Sequence, residues 1–206
     1  MLIIGGLILT LIAYLLGSIP CGLVLTRLFT SIDIRQTGSG NIGATNVRRL
    51  AGNLLGGLTL AGDLFKGAFP VFMAVALFWG EPGNAPEIMT ACVAAGAFAG
   101  HLYPFYLNFE GGKGVATALG CFLVMAPAAV FIALVFFLAV VKVTRRVAAG
   151  SLAAIAILVP AVWLVNGSGA YGFCALGTAV MIFVRHKENI QRLMAGTEPT
   201  LDRKQP

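Results

Sequence analysis

The residues from Gly38 to Asn46 read Gly-Ser-Gly-Asn-Ile-Gly-Ala-Thr-Asn, and Arg48 and Arg49 follow at once. In a chain that is greasy almost everywhere else, this stretch has one large apolar side chain, Ile42. Glycine lets the backbone take positive φ and approach a ligand closely. Successive N–H groups in such a turn make a concavity that binds anions. Ser39, Asn41 and Thr45 add short donors, and an arginine adds a planar charge suited to phosphate. Together they read as a phosphate cradle. The plainer reading is a polar turn between two membrane helices, because bare glycine patterns are common.

Other polar groups stand out against the same apolar background. Asn108-Phe109-Glu110-Gly111-Gly112-Lys113-Gly114 is a second glycine-rich loop, in which Lys113 is either a phosphate ligand or a charge that sets topology. Asp63 and Lys66 lie three apart on one helix face and can pair. Ionisable groups inside a span are costly and face the bundle interior, so a structural ion pair competes with a catalytic role. His101 falls within an apolar segment, where hydrogen bonding to a neighbouring helix competes with a role at the site. Arg185-His186-Lys187-Glu188-Asn189-Ile190 opens the tail. There His186 is a reactive group or a solvated interfacial one, and Asn189, like Asn46, is a ligand contact or a helix cap. No metal cluster is evident with only two histidines. The four cysteines, Cys21, Cys92, Cys121 and Cys174, form no CxxC pair and read as small buried hydrophobes.

The elements that must position these groups are membrane spans. The 206 residues are 58% hydrophobic and 11% charged, where a soluble domain is about 25% charged. Apolar runs near the ~20 residues that cross a bilayer recur, at about 2–28, 54–79, 87–106, 115–141, 147–165 and 170–184, with a polar loop at about 30–53. The expectation is an all-α integral membrane protein, one polytopic domain over 1–206. Met1-Leu2-Ile3-Ile4 lacks a basic n-region, so no cleaved signal peptide is expected.

Orientation follows from charge. Besides Lys66, the basic residues are Arg27, Arg35, Arg48, Arg49, Lys113, Lys142, Arg145, Arg146, Arg185, Lys187, Arg192, Arg203 and Lys204; the loops at 80–86 and 166–169 and the N-terminus have none. The positive-inside rule places the basic loops in the cytoplasm, hence the N-terminus outside, the C-terminus cytoplasmic and an odd number of crossings. Residues 115–141 must then leave and return on the cytoplasmic side, and Pro127 is the natural break. Seven transmembrane helices are expected, the fourth and fifth as a short hairpin. The two glycine-rich loops, the Arg145–Ser151 turn and the start of the tail then face the cytoplasm, where an anionic, phosphate-bearing ligand would approach. These residues alone leave a membrane enzyme and a transporter of phosphorylated solutes about equally open. Transporters favour midplane sites at repeat interfaces, and no internal repeat is visible.

Three blocks carry a family resemblance: GSGNIGATN at 38–46, GHLYPFYLNFEGGKGVAT at 100–117 and RHKENIQRLMAGTE at 185–198. They resemble the bacterial acyl-phosphate:glycerol-3-phosphate acyltransferases, the PlsY family, over nearly the whole chain. The resemblance implies a seven-helix enzyme of the bacterial cytoplasmic (inner) membrane. It would transfer a fatty acyl group from acyl phosphate to the 1-hydroxyl of sn-glycerol 3-phosphate, giving lysophosphatidic acid and phosphate for phospholipid synthesis. By position it implies substrate binding at Ser39, Gly40, Asn41, Arg49, Gly112 and Ser151, with Lys113, His186 and Asn189 as catalytic residues. Ser39, Arg49 and Lys113 would hold phosphate, and His186 and Asn189 would sit near the reacting groups. The family usually has a tyrosine and a serine just before the position of Ser151, where Arg146 and Ala148 stand here. The implied partners are glycerol 3-phosphate, acyl phosphate, membrane lipid and the enzyme that makes acyl phosphate. Neither a cofactor nor a nucleic acid is implied. Tyr106 and Gln191, five residues after the two histidines, leave no H-x4-D signature of the acyltransferases that use acyl-CoA or acyl carrier protein.

Overall fold

The computed structural model describes residues 2–201; Met1, Arg203 and Lys204, used in the charge and leader arguments above, lie outside the described residues. The described residues form nine α-helices and one 3-10 turn, with no strand among them. They divide into two compact units, one ending at Cys121 and the other beginning at Phe122.

The first unit holds α1 (Leu2–Gly17), α2 (Cys21–Phe29), α3 (Ala44–Leu77), α4 (Ala85–Leu102), the 3-10 turn Phe105–Leu107 and the start of α5 (Val115–Met125). The first apolar run is thus two helices. Pro20 brings no N–H to continue the ladder, and the chain breaks at Ser18–Pro20. The Ser18 hydroxyl donates back to the Tyr14 carbonyl at 2.8 Å. The Ile19 carbonyl, freed by the break, accepts from Lys66 Nζ of α3 at 2.7 Å. Backbone groups in lipid must find such partners within the protein.

The third helix begins earlier than the hydropathy pattern indicates. The polar loop ends at Gly43, and Ala44 to Ala51 are already helical. Ala, Leu and Arg are good helix formers, and hydropathy does not register a polar first turn. Gly52, at φ 88° and ψ 174°, interrupts α3, so a short polar segment and a long apolar one meet at a kink. Only glycine takes that φ without strain.

Small residues set the helix spacing, as membrane bundles require. A Cβ on Gly17 would strike the Ala97 carbonyl, and one on Gly100 would strike the Tyr14 carbonyl, so α1 and α4 pack backbone to backbone. Gly67 and Gly120 do the same for α3 and α5, against the Thr117 and Leu64 carbonyls.

The second unit holds the end of α5, α6 (Pro127–Thr144), α7 (Val147–Asn166), α8 (Gly169–Arg185) and α9 (Lys187–Met194). The break expected at Pro127 is present, with Pro127 opening α6 after a non-helical Ala126. Pro suits the first turn, where its missing N–H costs nothing. Asn166 caps the return by donating to the Met125 carbonyl at 3.1 Å, and Ser168 accepts from the Tyr171 N–H at the start of α8. All four cysteines are free thiols.

Among the described residues, five stretches are long and apolar enough to cross a membrane: Leu2–Phe29, Ala44–Leu77, Ala85–Leu107, Pro127–Thr144 and Val147–Asn166. Val115–Met125 and Gly169–Arg185 are shorter apolar helices. Many large apolar side chains point outward, among them Ile3, Leu7, Phe72, Phe131 and Leu164, as lipid-facing surfaces do.

The α1–α4 contact makes a clear prediction. Gly100→Val should overpack the helix pair and cost about 1–3 kcal/mol. The thermal midpoint of the detergent-purified protein should fall, while Gly57→Val, where a Cβ meets open space, should leave it nearly unchanged.

Candidate active site

The first polar loop is built around a side chain, Asn46. The two N–H groups of its Nδ2 are shared among the carbonyls of Ile34 at 3.1 Å, Thr37 at 3.3 Å and Asn41 at 2.9 Å, and its Oδ1 accepts from the Ser39 N–H at 3.0 Å. Asn46 is buried in the first turn of α3. It is therefore not a helix cap but a pin for the loop ahead of the helix. Gly38 and Gly40 stand at φ 68° and 67°, which lets the chain double back over that pin.

These bonds alter the expected anion concavity. The N–H groups of Ser39 and Gly40 and that of Gly43 are engaged within the loop, by Asn46 Oδ1, the Thr37 carbonyl and Asn41 Oδ1. The loop's turn closes on itself, so what it presents outward is chiefly side chains and the N-terminal end of α3. The Ser39 side chain is on the exposed part, and Asn41, Arg48 and Arg49 are half-buried. Ile42 does the opposite job, joining Leu23, Ile34, Val47 and Leu55 in a buried cluster under the loop.

The second loop lies on the end of α4. The Gly111 N–H donates to the Leu102 carbonyl and the Gly112 N–H to the His101 carbonyl, both at 3.1 Å. A Cβ on Gly111 would collide with the His101 carbonyl, and one on Gly112 with His101 Nε2. Gly114, at φ 80°, packs on Phe98 and Leu102. The glycines are thus needed for closeness, and Lys113 between them is half-buried. The loops also meet through an exposed Arg35–Glu110 ion pair at 3.2 Å.

Beneath the second loop is a buried polar chain. Lys66 Nζ lies 2.9 Å from Asp63 Oδ1, as the i,i+3 spacing predicts. His101 Nδ1 lies 3.8 Å from the same oxygen and 3.0 Å from Thr117 Oγ1. His101 does bond a neighbouring helix, through Thr117 of α5.

In the second unit, His186 is the hinge between α8 and α9 and is buried, 3% exposed. That excludes the solvated interfacial histidine. Its Nδ1 lies 2.8 Å from the Ile182 carbonyl. A carbonyl can only accept, so Nδ1 carries the proton and Nε2 holds the lone pair of the neutral ring. Asn189 does not cap α9; its Nδ2 donates to Glu198 Oε1 at 2.7 Å. Glu198 Oε2 accepts from Arg192 Nε at 2.8 Å. Arg146 donates to the carbonyls of Glu198 and Gly196. It ties the α6–α7 turn to the tail. Ser151 is buried and its hydroxyl donates to the Val147 carbonyl at 3.0 Å, leaving its oxygen as an acceptor.

The first unit therefore carries Ser39, Gly40, Asn41, Arg49, Gly112 and Lys113, and the second carries Ser151, His186 and Asn189. Sequence reasoning assigned no role to Glu198, Arg192 or Thr117. Glu198 had one signal, a carboxylate closing the third block. Among the described residues no three His, Cys, Asp or Glu side chains cluster as a metal site.

The fold and its loops define a polytopic helical membrane protein with basic, glycine-rich polar loops. Residues 7–196 match the family model described as glycerol-3-phosphate acyltransferase. A glycerol-3-phosphate acyltransferase of Syntrophotalea carbinolica is 50% identical over 191 residues, covering 93% of this chain and 95% of that protein. One from Geobacter sulfurreducens is 46% identical over 195 residues, covering 95% and 97%. The crystal structure of PlsY, an integral membrane glycerol 3-phosphate acyltransferase, in its glycerol 3-phosphate form superposes with a TM-score of 0.89 at 34% identity, covering 95% of each chain. Its lysophosphatidic acid form gives 0.87 with the same coverage. The chain belongs to the glycerol-3-phosphate acyltransferase family, the PlsY family, and is an enzyme of that kind.

The Asn46 pin can be checked directly. Asn46→Ala removes two N–H donors and one acceptor from one loop, each hydrogen bond worth about 1 kcal/mol net. Residues 34–41 should become sensitive to limited proteolysis and fast in hydrogen exchange, with helix content unchanged.

Proposed function

We propose that this enzyme transfers a fatty acyl group from acyl phosphate to the 1-hydroxyl of sn-glycerol 3-phosphate, giving lysophosphatidic acid and inorganic phosphate. The observation that carries the reading is the Gly111–Gly114 loop. It is pressed onto α4 with half-buried Lys113 between its glycines, a cation suited to a reaction that has two phosphate-bearing substrates. Family membership and solved relatives in glycerol 3-phosphate and lysophosphatidic acid forms support the acceptor and the product.

In the step, the acceptor hydroxyl oxygen attacks the acyl carbonyl carbon, the bond from that carbon to the phosphate oxygen breaks, and phosphate leaves with the electron pair. Acyl phosphate is a mixed anhydride with a good leaving group, so the main needs are charge neutralisation, oxyanion donors and alignment. Ser39, Arg49 and Lys113 hold phosphate, with Gly40, Asn41 and Gly112 shaping the approach and Ser151 offering an acceptor. Asn189 and His186 act near the reacting groups. The hydroxyl proton goes to His186 Nε2 or to the donor's own phosphate. The Nδ1–H bond to the Ile182 carbonyl supports the first by leaving Nε2 basic; the phosphate's closeness to its own carbonyl supports the second.

The same reading includes seven crossings in a bacterial inner membrane, with the N-terminus outside, the C-terminus cytoplasmic, and α5 and α6 as a short hairpin. The charge asymmetry of the loops supports it. So does α5, whose 11 residues span only about 16 Å.

Phosphate release from palmitoyl phosphate should depend on glycerol 3-phosphate, palmitoyl-CoA should not substitute, and chelators should have no effect. Lys113→Ala should lower kcat/KM tens- to a hundredfold, as loss of a charge-assisted contact of about 1.5–3 kcal/mol implies. Turnover of acyl-CoA would overturn the donor, and normal kinetics for Lys113→Ala would overturn its role.

Topology has its own measurement. In a background without the native cysteines, single cysteines near Gly83, Pro127 and Ser168 should label from outside. Cysteines near Gly111 and in the tail should label only from the cytoplasm.

A further inference from the structure

The Asp63–Lys66–His101–Thr117 chain has no part in the phosphate or acyl contacts above, yet it is buried and charged. A buried ion pair usually costs more than packed apolar residues would, and within a span it is dearer still. What it touches at its end is the second loop. His101 supports Gly112 twice, with its carbonyl accepting the Gly112 N–H and its ring Nε2 filling the space a Gly112 side chain would need. At the other edge of the ring, Nδ1 meets Thr117 Oγ1 at 3.0 Å and Asp63 Oδ1 at 3.8 Å. Lys66 holds Asp63 at 2.9 Å and reaches the Ile19 carbonyl at the α1–α2 break.

We infer that His101 is a positioning residue for Lys113: its hydrogen bond to Thr117 fixes its ring beside the Asp63 carboxylate, the ring is the floor under Gly112, and that floor sets where Lys113 presents its ammonium. Three glycines in four residues cannot hold a loop by their own side chains. The constraint has to come from what lies beneath them, and a buried ring hydrogen-bonded to a neighbouring helix is stiffer than an aliphatic side chain with free rotamers. Lys66 serves the arrangement by neutralising Asp63 and by tying it to the first broken helix.

This inference rests on Lys113 acting as a phosphate ligand, so the test separates the two. In the purified full-length enzyme with palmitoyl phosphate as donor, kcat/KM for glycerol 3-phosphate is measured for His101→Ala and Thr117→Val. Both are made alone and with Lys113→Ala. His101→Ala should lower kcat/KM roughly 10- to 100-fold, the scale on which a 1 Å misplacement acts. Thr117→Val, nearly isosteric, should lower it less but in the same direction. In the Lys113→Ala background each substitution should change kcat/KM by less than about twofold, because residues acting through one group are not additive. Losses that multiply in full, with Lys113→Ala itself impaired, would overturn the positioning role alone. Normal kinetics for Lys113→Ala would overturn the phosphate-ligand reading first. If His101→Ala does not fold, Thr117→Val decides: a lowered thermal midpoint with unchanged kcat/KM makes the chain purely structural.

Discussion

In hydrocarbon there is no water to take up a backbone carbonyl, and the first unit is arranged around that constraint at one point. Pro20 breaks the opening helix and takes the Ile19 carbonyl out of the regular ladder; the Cys21 N–H reaches it at 3.1 Å, and Lys66 supplies a second, charged donor at 2.7 Å. A lysine there needs a counterion, which is Asp63. Asp63 in turn lies beside His101, and His101 lies under the glycine-rich loop. One interruption in one helix thus leads, through successive demands for partners, to the loop that carries Lys113. Each group in the chain is costly alone and tolerable only with the next.

The two loops of the first unit reach order by different means. The second lies against a helix end and is shaped by contact: its glycines are there because carbonyls and an imidazole occupy the space of a side chain. The first is shaped by hydrogen bonds to Asn46, whose amide faces three carbonyls and one N–H. A carboxylate at that position could not donate, and a hydroxyl could not span four partners. In the second unit a buried carboxylate, Glu198, has a comparable duty. It accepts from Asn189 and Arg192, while its backbone carbonyl receives Arg146. The tail block is folded back by those bonds, which accounts for a buried acid in so apolar a protein.

Much of this was legible in the sequence, for physical reasons. Long apolar runs in a chain with 11% charged residues permit little besides membrane helices. Pro127 was the natural break in its run, because a proline removes a hydrogen bond and clashes and the loop charges called for a turn there, whereas Pro70 and Pro160 sit inside α3 and α7. The i,i+3 spacing placed Asp63 and Lys66 in reach of each other, and the three polar blocks marked which family's chemistry the loops resemble. What sequence alone could not set was every contact between distant segments. The Asn46 amide could be read only as a cap or a ligand contact, because its partners lie five to twelve residues back in a loop with no regular geometry. The early start of α3 was hidden by its polarity. That His101 faces Gly112, and that Glu198 closes on Asn189, depends on how helices pack and turn. Those relations exist only once backbone crossings such as Gly17 on Ala97 and Gly67 on Thr117 have fixed the spacing, and no local pattern encodes them.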